Sequence, residues 1–328
     1  MFYIIAPLLT SLAISLIAGR ILIPVLRSKK LGQKILEIGP RWHKSKEGTP
    51  IMGGLLFIGG ILIVVLSFGI HAIRASGRYD IFFTFLLALG FGTIGFIDDY
   101  AKLVKKENKG LSAVQKLFLQ FSAATAYLLA MQYFGILSTV VYFPFFKAFV
   151  DFGIFFYIFA LLGIVYFANS ANFTDGIDGL CGSVTVIMSI FFIMAFRNVE
   201  SDLNTGGTVL ASALLGGLLG FLYYNFYPAK IFMGDTGSQF LGGIIAGMAF
   251  WLGVPIILLF VGIIHIIESF SVVIQVTGYK LTGKRIFKMS PIHHHFELCG
   301  WSEKKIVFVF SLITAVMCAI AYAGLFYV

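Results

Sequence analysis

Two adjacent carboxylates followed by a lysine open the chemistry of this chain, in the stretch Asp98-Asp99-Tyr100-Ala101-Lys102. Neighbouring carboxylates repel, so one of them resists ionisation unless a cation neutralises the pair. On a helix, Asp98 and Lys102 stand at i and i+4, which puts one such charge at hand. The plain alternative is a polar helix end meeting water. Acids at a helix C-terminus oppose the macrodipole, however, and an ordinary end would favour lysine there.

A second stretch runs from Asn169 to Leu180 and sets Asn169, Asn172, Asp175 and Asp178 at every third position, interleaved with Gly176, Gly179 and Gly182. Glycine at this density lets backbone approach a ligand closely, at a cost in helix stability. Amides with carboxylates can bind a sugar, a base edge or a hydrated metal; the plain alternative is a polar turn. A third stretch joins Asn225 to Lys230-Ile231-Phe232-Met233-Gly234-Asp235-Thr236-Gly237-Ser238. Thr236 or Ser238 can cap a following helix, and a helix N-terminus favours anions. Asp235 beside hydroxyls suits Mg²⁺, which takes few protein oxygens and shares substrate phosphates. Alone, this stretch is no more than a capping turn.

The segment 277–303 carries Lys280, Lys284, Arg285 and Lys288, then Pro291-Ile292-His293-His294-His295-Phe296. Consecutive helical residues lie about 100° apart, so three neighbouring histidines cannot all face one metal. Donation to phosphate oxygens is the better use for them, ahead of a zinc site. Lys44 and Lys46 precede Gly48-Thr49-Pro50-Ile51-Met52-Gly53-Gly54, a small-residue turn that either touches a phosphate or starts a helix with Pro in its first turn. His265 and Glu268, at i and i+3 in an apolar run, suggest a proton relay, a structural pair or the floor of a site, the last two being preferred. The cysteines Cys181, Cys299 and Cys318 are too scattered for a disulfide framework or a zinc site.

Such residues need a scaffold, and the composition says which kind. With 59% hydrophobic residues, 12% charged and a mean hydropathy of +0.95, a water-soluble globule is excluded. The apolar runs predict about ten transmembrane helices, each near 20 residues long, in an all-α polytopic membrane protein. They fall near 2–26, 51–70, 80–97, 113–134, 151–168, 179–197, 206–226, 238–252, 254–276 and 305–326. The Met1-Phe2-Tyr3-Ile4-Ile5 start lacks the basic residues of a secretory signal and reads as a retained span.

A net charge of +9 raises the question of nucleic acid. Most of the 24 Lys and Arg instead fall in one set of loops, from Arg27 to Lys46, Lys102 to Lys116, at Lys230 and from Lys280 to Lys305. That asymmetry places these loops in the cytoplasm and both termini on the periplasmic side, and no nucleic-acid partner is expected. Asp98, Asp99, Asp175, Asp178 and Asp235 sit where spans meet the basic side. Asp80, Asp151, Glu200 and Asp202, on the other side, read as solvated caps. One membrane domain is expected over residues 1–328.

Together the motifs resemble the polyprenyl-phosphate N-acetylhexosamine-1-phosphate transferase superfamily. Asp98–Lys102, Asn169–Asp178 and Phe232–Ser238 carry that likeness. Gly48-Thr49-Pro50 with Met52-Gly53-Gly54, and Pro291–Glu297, narrow it to the bacterial branch that acts on UDP-N-acetylmuramoyl-pentapeptide. One departure is Ile51, where many members carry Thr. The resemblance implies ten helices, a homodimer, Mg²⁺ dependence and a bacterial inner membrane. It implies transfer of phospho-N-acetylmuramoyl-pentapeptide to undecaprenyl phosphate, with release of UMP and formation of lipid I.

On that resemblance Asp98, Asp99, Lys102, Asp235 and His294 are the catalytic candidates, with Asp235 the principal Mg²⁺ ligand. Asn172, Asp175, Asp178 and Phe232 would hold uridine and its ribose, Phe232 by stacking. Lys46, Thr49, Lys116, Asn169, Gly234, Gln275, His293 and His295 complete the expected substrate contacts. Two rivals remain. One is transfer of N-acetylglucosamine phosphate, which the histidine triplet and Gly48-Thr49-Pro50 disfavour. The other is transport, which would set the charges near the bilayer midplane rather than at one face.

Overall fold

The structure is a computed structural model that describes residues 1–28, 46–105, 110–198 and 205–327. Lys29, Lys30, Lys34, Arg41 and Lys44, like Lys106, Lys109, Glu200 and Asp202, lie outside the described residues. The fold is all-α and built for a membrane. Helix α1 (Phe2–Ser28) is followed by α2 (Gly54–Val64), which continues through a π-helical turn at Val65–Gly69 into α3 (Ile70–Ser76). Next come α4 (Asp80–Lys105), α5 (Ala113–Tyr133), α6 (Phe155–Thr174), α7 (Leu180–Asn198), α8 (Thr205–Asn225) and α9 (Gly234–Trp251). The chain ends with α10 (Leu258–Val261), α11 (Ile263–Thr282), the short α12 (Ile292–Leu298) and α13 (Glu303–Phe326).

Every expected span contains a helix, but not every helix is a span by the same standard. Among the described residues seven helices are long and apolar enough to cross a membrane, and eight if a bent pair counts as one. Helices α5 and α9 are not among them. The bent pair, Pro255–Val261 with Ile263–Thr282, turns by 81° at Gly262, so the expected straight span over 254–276 is broken. The third expected span ended at 97, whereas α4 runs on to Lys105 and keeps Asp98, Asp99 and Lys102 in helical register.

Helices α8 and α9 form the centre. Nearly every residue of both is buried. Around them, α9 packs on α4 and α6, while α8 packs on α1, α2 and α7. Without a hydrophobic drive between helices in lipid, close backbone approach supplies the contact. A Cβ on Gly216 would lie 2.0 Å from the Leu8 carbonyl oxygen, so α1 and α8 touch at their backbones. The outer helices instead turn large apolar side chains outward, among them Ile17, Leu129, Ile158, Leu162 and Phe308. That surface suits lipid chains.

Two expectations fail at the far end. A two-stranded antiparallel hairpin, β1 (Val140–Phe143) with β2 (Ala148–Asp151), occupies the approach to α6, which therefore starts at Phe155 rather than 151. Valines and aromatics fit a pleated ribbon, and Pro144 makes the turn. Asp80 is not a solvated cap either: it is 1% exposed and receives both Arg78 Nε and a terminal guanidinium nitrogen, at 2.9 and 2.7 Å. The bidentate fit explains how a carboxylate stays buried there.

Candidate active site

Two helices bring the acidic motifs together at one end of the bundle. The last turns of α4 carry Asp98, Asp99 and Lys102; the first turn of α9 carries Asp235. One carboxylate oxygen from each of Asp98, Asp99 and Asp235 can be chosen so that all lie within 4.8 Å of one another. Such closeness needs α4 and α9 nearly in contact. Gly95 permits it, since a Cβ there would meet the Asp235 carbonyl oxygen at 2.1 Å.

The three acids have different neighbours. Asp99 faces the start of α9: its Oδ1 accepts from Asp235 N at 3.1 Å, and its Oδ2 accepts from Thr236 N at 2.9 Å and Thr236 Oγ1 at 2.7 Å. The α9 cap therefore comes from another helix. Neither Thr236 nor Ser238 caps it, and the Ser238 hydroxyl donates to the Gly234 carbonyl at 3.0 Å. Asp98 accepts from Leu111 N at 2.7 Å and pairs with Lys102 Nζ at 2.6 Å, the i, i+4 contact expected. Asp235 gathers Lys116 at 2.9 Å, Lys102 at 3.2 Å and the Asn172 amide at 2.9 Å.

Local sequence explains these placements. Ser112 and Gln115 form a reciprocal capping box that starts α5, one residue ahead of Lys116. Gly234, at φ +74°, turns the chain into α9, and a Cβ there would lie 2.5 Å from Asp99 Oδ2. Pro50 does not begin a helix. Its carbonyl accepts from Phe232 N at 2.8 Å, and Gly53 N donates to the Phe232 carbonyl at 2.8 Å. The 50–54 turn thus pairs with the start of the Phe232–Ser238 motif; Phe232 stays partly exposed, and so does Thr49, whose N–H donates to the Lys46 carbonyl.

A second cluster flanks the first. Asp178 Oδ1 pairs with Lys46 at 2.8 Å, its Oδ2 accepts from Ala229 N at 2.9 Å, and Lys46 also pairs with Glu303 at 2.7 Å. Between the clusters lies Asp175, just past the end of α6. Burial of its carboxyl, then the charges of Asp235, Asp99 and Asp178, push its pKa up to about 8, against the pull of the Gly234 N–H. Glu303 was not foreseen; Ser302-Glu303 reads in sequence as a helix start, which it also is.

The histidines go to separate partners, as their spacing requires. His293 is fully buried, with Nδ1 3.0 Å from Glu268 and Nε2 against Gly176, where a Cβ would come within 2.1 Å. His294 Nδ1 lies 2.6 Å from Glu297, and His295 Nδ1 accepts from Lys288 N at 3.1 Å. His265 and Glu268 do not pair with each other. His265 Nδ1 meets Thr174 Oγ1 at 2.7 Å, and Glu268 pairs with His293, so separate partners replace the expected structural pair. The Gln275 side chain is taken up by the 286–287 backbone: Ile286 N and Phe287 N donate to its oxygen, and its nitrogen donates to the Phe287 carbonyl. Asn169 is one turn below Asn172 and exchanges hydrogen bonds with Gln120 at 2.9 and 3.2 Å. Gln120 escaped the sequence reading, although it stands one helical turn from Lys116.

A family described as glycosyl transferase family 4 matches residues 81–253, which include all three acids. Over 328 residues the chain is 44% identical to the phospho-N-acetylmuramoyl-pentapeptide-transferase of Clostridium botulinum (strain Alaska E43 / Type E3), spanning 98% of this chain and 96% of that protein. The chain belongs to the phospho-N-acetylmuramoyl-pentapeptide-transferase family. Further family members of that name are 44% identical in Carboxydothermus hydrogenoformans, over 97% of each chain, and 43% in Clostridium perfringens (strain 13 / Type A), over 98% of each. The family likeness thus extends beyond residues 81–253 to Lys46–Gly54 and His293–His295.

Proposed function

We propose that this chain transfers phospho-N-acetylmuramoyl-pentapeptide from UDP-N-acetylmuramoyl-pentapeptide to undecaprenyl phosphate, releasing UMP and forming lipid I. The observation that carries the reading is the convergence of Asp98, Asp99 and Asp235 with Lys102, Lys116 and Asn172, in a chain similar along its whole length to transferases of that name.

The donor set favours a hard cation. Oxygen ligands with nearby room for phosphate suit Mg²⁺. Asp235, with Asp98 beside it, would hold it, since their partners include the movable side chains of Lys102, Lys116 and Asn172, whereas both Asp99 oxygens are tied to backbone N–H groups that begin α9. Bound there, Mg²⁺ would neutralise charge on the diphosphate and on the departing UMP. The chain's own residues do the rest. Lys102 and Lys116 draw the two anionic substrates together against their mutual repulsion. The lipid phosphate, with a second pKa near 6, is largely dianionic at neutral pH; its oxygen attacks the sugar-linked phosphorus of the donor, forming the new P–O–P bond as the bond to UMP breaks and UMP leaves with the electron pair. Asp98 orients it or removes a remaining proton. Asn172, Asp175, Asp178 and Phe232 receive the uridine, and His294 the diphosphate or sugar. About ten spans, periplasmic termini, a cytoplasmic site and a homodimer complete the proposal.

The test is UMP release in detergent with Mg²⁺, comparing the native chain with Asp235→Ala. A loss on the order of a hundredfold or more is expected from removing a principal electrostatic group. Equal rates would remove Asp235 from the mechanism, and equal use of UDP-N-acetylglucosamine would overturn the donor. A phosphorylated Asp98 or Asp99 trapped during turnover would replace direct attack with a covalent route.

A further inference from the structure

Three of the helices that meet at Asp235 carry a second, uncharged layer. On α5, Gln120 follows Lys116 by four residues; on α6, Asn169 precedes Asn172 by three; on α9, Gln239 follows Asp235 by four. Each step is one helical turn on the same face, and each leads away from the charged end. The layer is hydrogen-bonded within itself. Gln120 and Asn169 exchange amide bonds at 2.9 and 3.2 Å, and Gln120 Nε2 also donates to Gln239 Oε1 at 2.8 Å. Gln120 and Gln239 are wholly buried.

We propose that Gln120, Asn169 and Gln239 are positioning residues, which fix the register of α5, α6 and α9 and so hold Lys116, Asn172 and Asp235 in the working arrangement. The proposal rests on the reading of that cluster as the transfer site. Apolar contacts alone leave neighbouring helices free to slide or rotate by fractions of a turn, whereas a reciprocal amide pair has one good geometry. Transfer chemistry is sensitive to displacements of about 1 Å, so register translates into turnover. The layer is also neutral. A carboxylate one turn below Asp235 would compete for Lys116 and for any cation; an amide does not. Nor does stability account for the layer well, because the buried Gln239 Nε2 finds no acceptor among the described residues, a cost that an apolar residue would not carry. In this light Asn169 supports Asn172 rather than touching substrate.

The decisive variants are Gln120→Met, Gln239→Met and the two combined, in the full chain purified in detergent. Methionine keeps length and volume while removing the amide, and replacing both partners of the Gln120–Gln239 bond by apolar groups is close to neutral for that bond; the half-buried Asn169 loses Gln120 but keeps its donation to the Val165 carbonyl. The expected result is a kcat at least tenfold lower in each single variant, with KM for nucleotide and lipid substrates within twofold of native. The double variant should melt near the native temperature yet turn over no more slowly than the worse single, because residues acting as one unit are non-additive. Gln120→Asn keeps the amide but shortens it, and should show the same fall if the methionine variants fold poorly. Native kcat in a folded Gln120→Met or Gln120→Asn chain overturns the proposal, as do losses that multiply in the double. A native chain that releases no UMP from the nucleotide sugar refutes the transferase reading instead.

Discussion

Asp98 and Asp99 are neighbours in sequence and opposites in use. Asp99 gives its oxygens to the backbone that begins α9, whereas Asp98 turns to Lys102 and the chain around Leu111. Substituting each by alanine should separate the roles. Both variants should lose at least about tenfold in turnover, but Asp99→Ala should melt well below Asp98→Ala, since each orphaned buried donor costs about 1–3 kcal/mol. Equal melting temperatures would remove the capping role. Asp175 offers a test in pH. Its folded pKa of about 8 stands far above the ordinary value, so the folded chain keeps a proton that the unfolded chain surrenders near pH 4. The penalty from this one group is therefore absent below about pH 4 and grows as pH rises to about 8. Between pH 5.5 and 8.5 the native melting temperature should fall more steeply than that of Asp175→Asn; parallel slopes would show Asp175 already ionised. The acids and amides were legible in sequence because polar side chains stand out in an apolar chain. Gln120, Gln239 and Glu303 were not, because their meaning lies in partners 49 to 257 positions away.

At the scale of elements, the site is a consequence of how closely α4 and α9 approach. Gly95→Ala places a methyl where the Asp235 carbonyl oxygen now sits, and the helices must part. Turnover should drop by two orders of magnitude or more on the order expected for a displacement of about 1 Å, while Gly59→Ala, whose Cβ meets nothing within 4 Å, should be silent. A Gly95→Ala chain with native kinetics would disprove the close-packing account. Helix positions were readable from apolar runs. The hairpin was not: Val140 to Val150 falls between the expected spans 113–134 and 151–168, and only Asp151 was drawn into the second, though the valines and aromatics around Pro144 carried the signal. The 81° bend at Gly262 was also hidden, since hydropathy has no direction.

For the whole molecule, sidedness is the open physical claim, and the cysteines are natural reporters of it. Cys299 is exposed at the end of α12, close to the histidines, while Cys181 and Cys318 are buried. A membrane-impermeant maleimide should label only Cys299, in inverted vesicles and not in intact cells. Labelling from outside intact cells would reverse the orientation read from lysine and arginine. That orientation rests on composition alone, because basic residues are costly to move across a bilayer; which side chains meet at the basic face could not be read there, since contact between distant helices leaves no local pattern.

Lys46 lies near the beginning of the chain and Glu303 near its end, yet they meet beside Asp178. A growing polypeptide can insert helix after helix without completing that clasp, for its last member arrives only when α13 begins. Until synthesis has passed Glu303, Lys46 lacks one of the two acidic partners it has among the described residues. The charge balance beside Asp178 is therefore finished last, and an interrupted translation product would stay unfinished at the catalytic face.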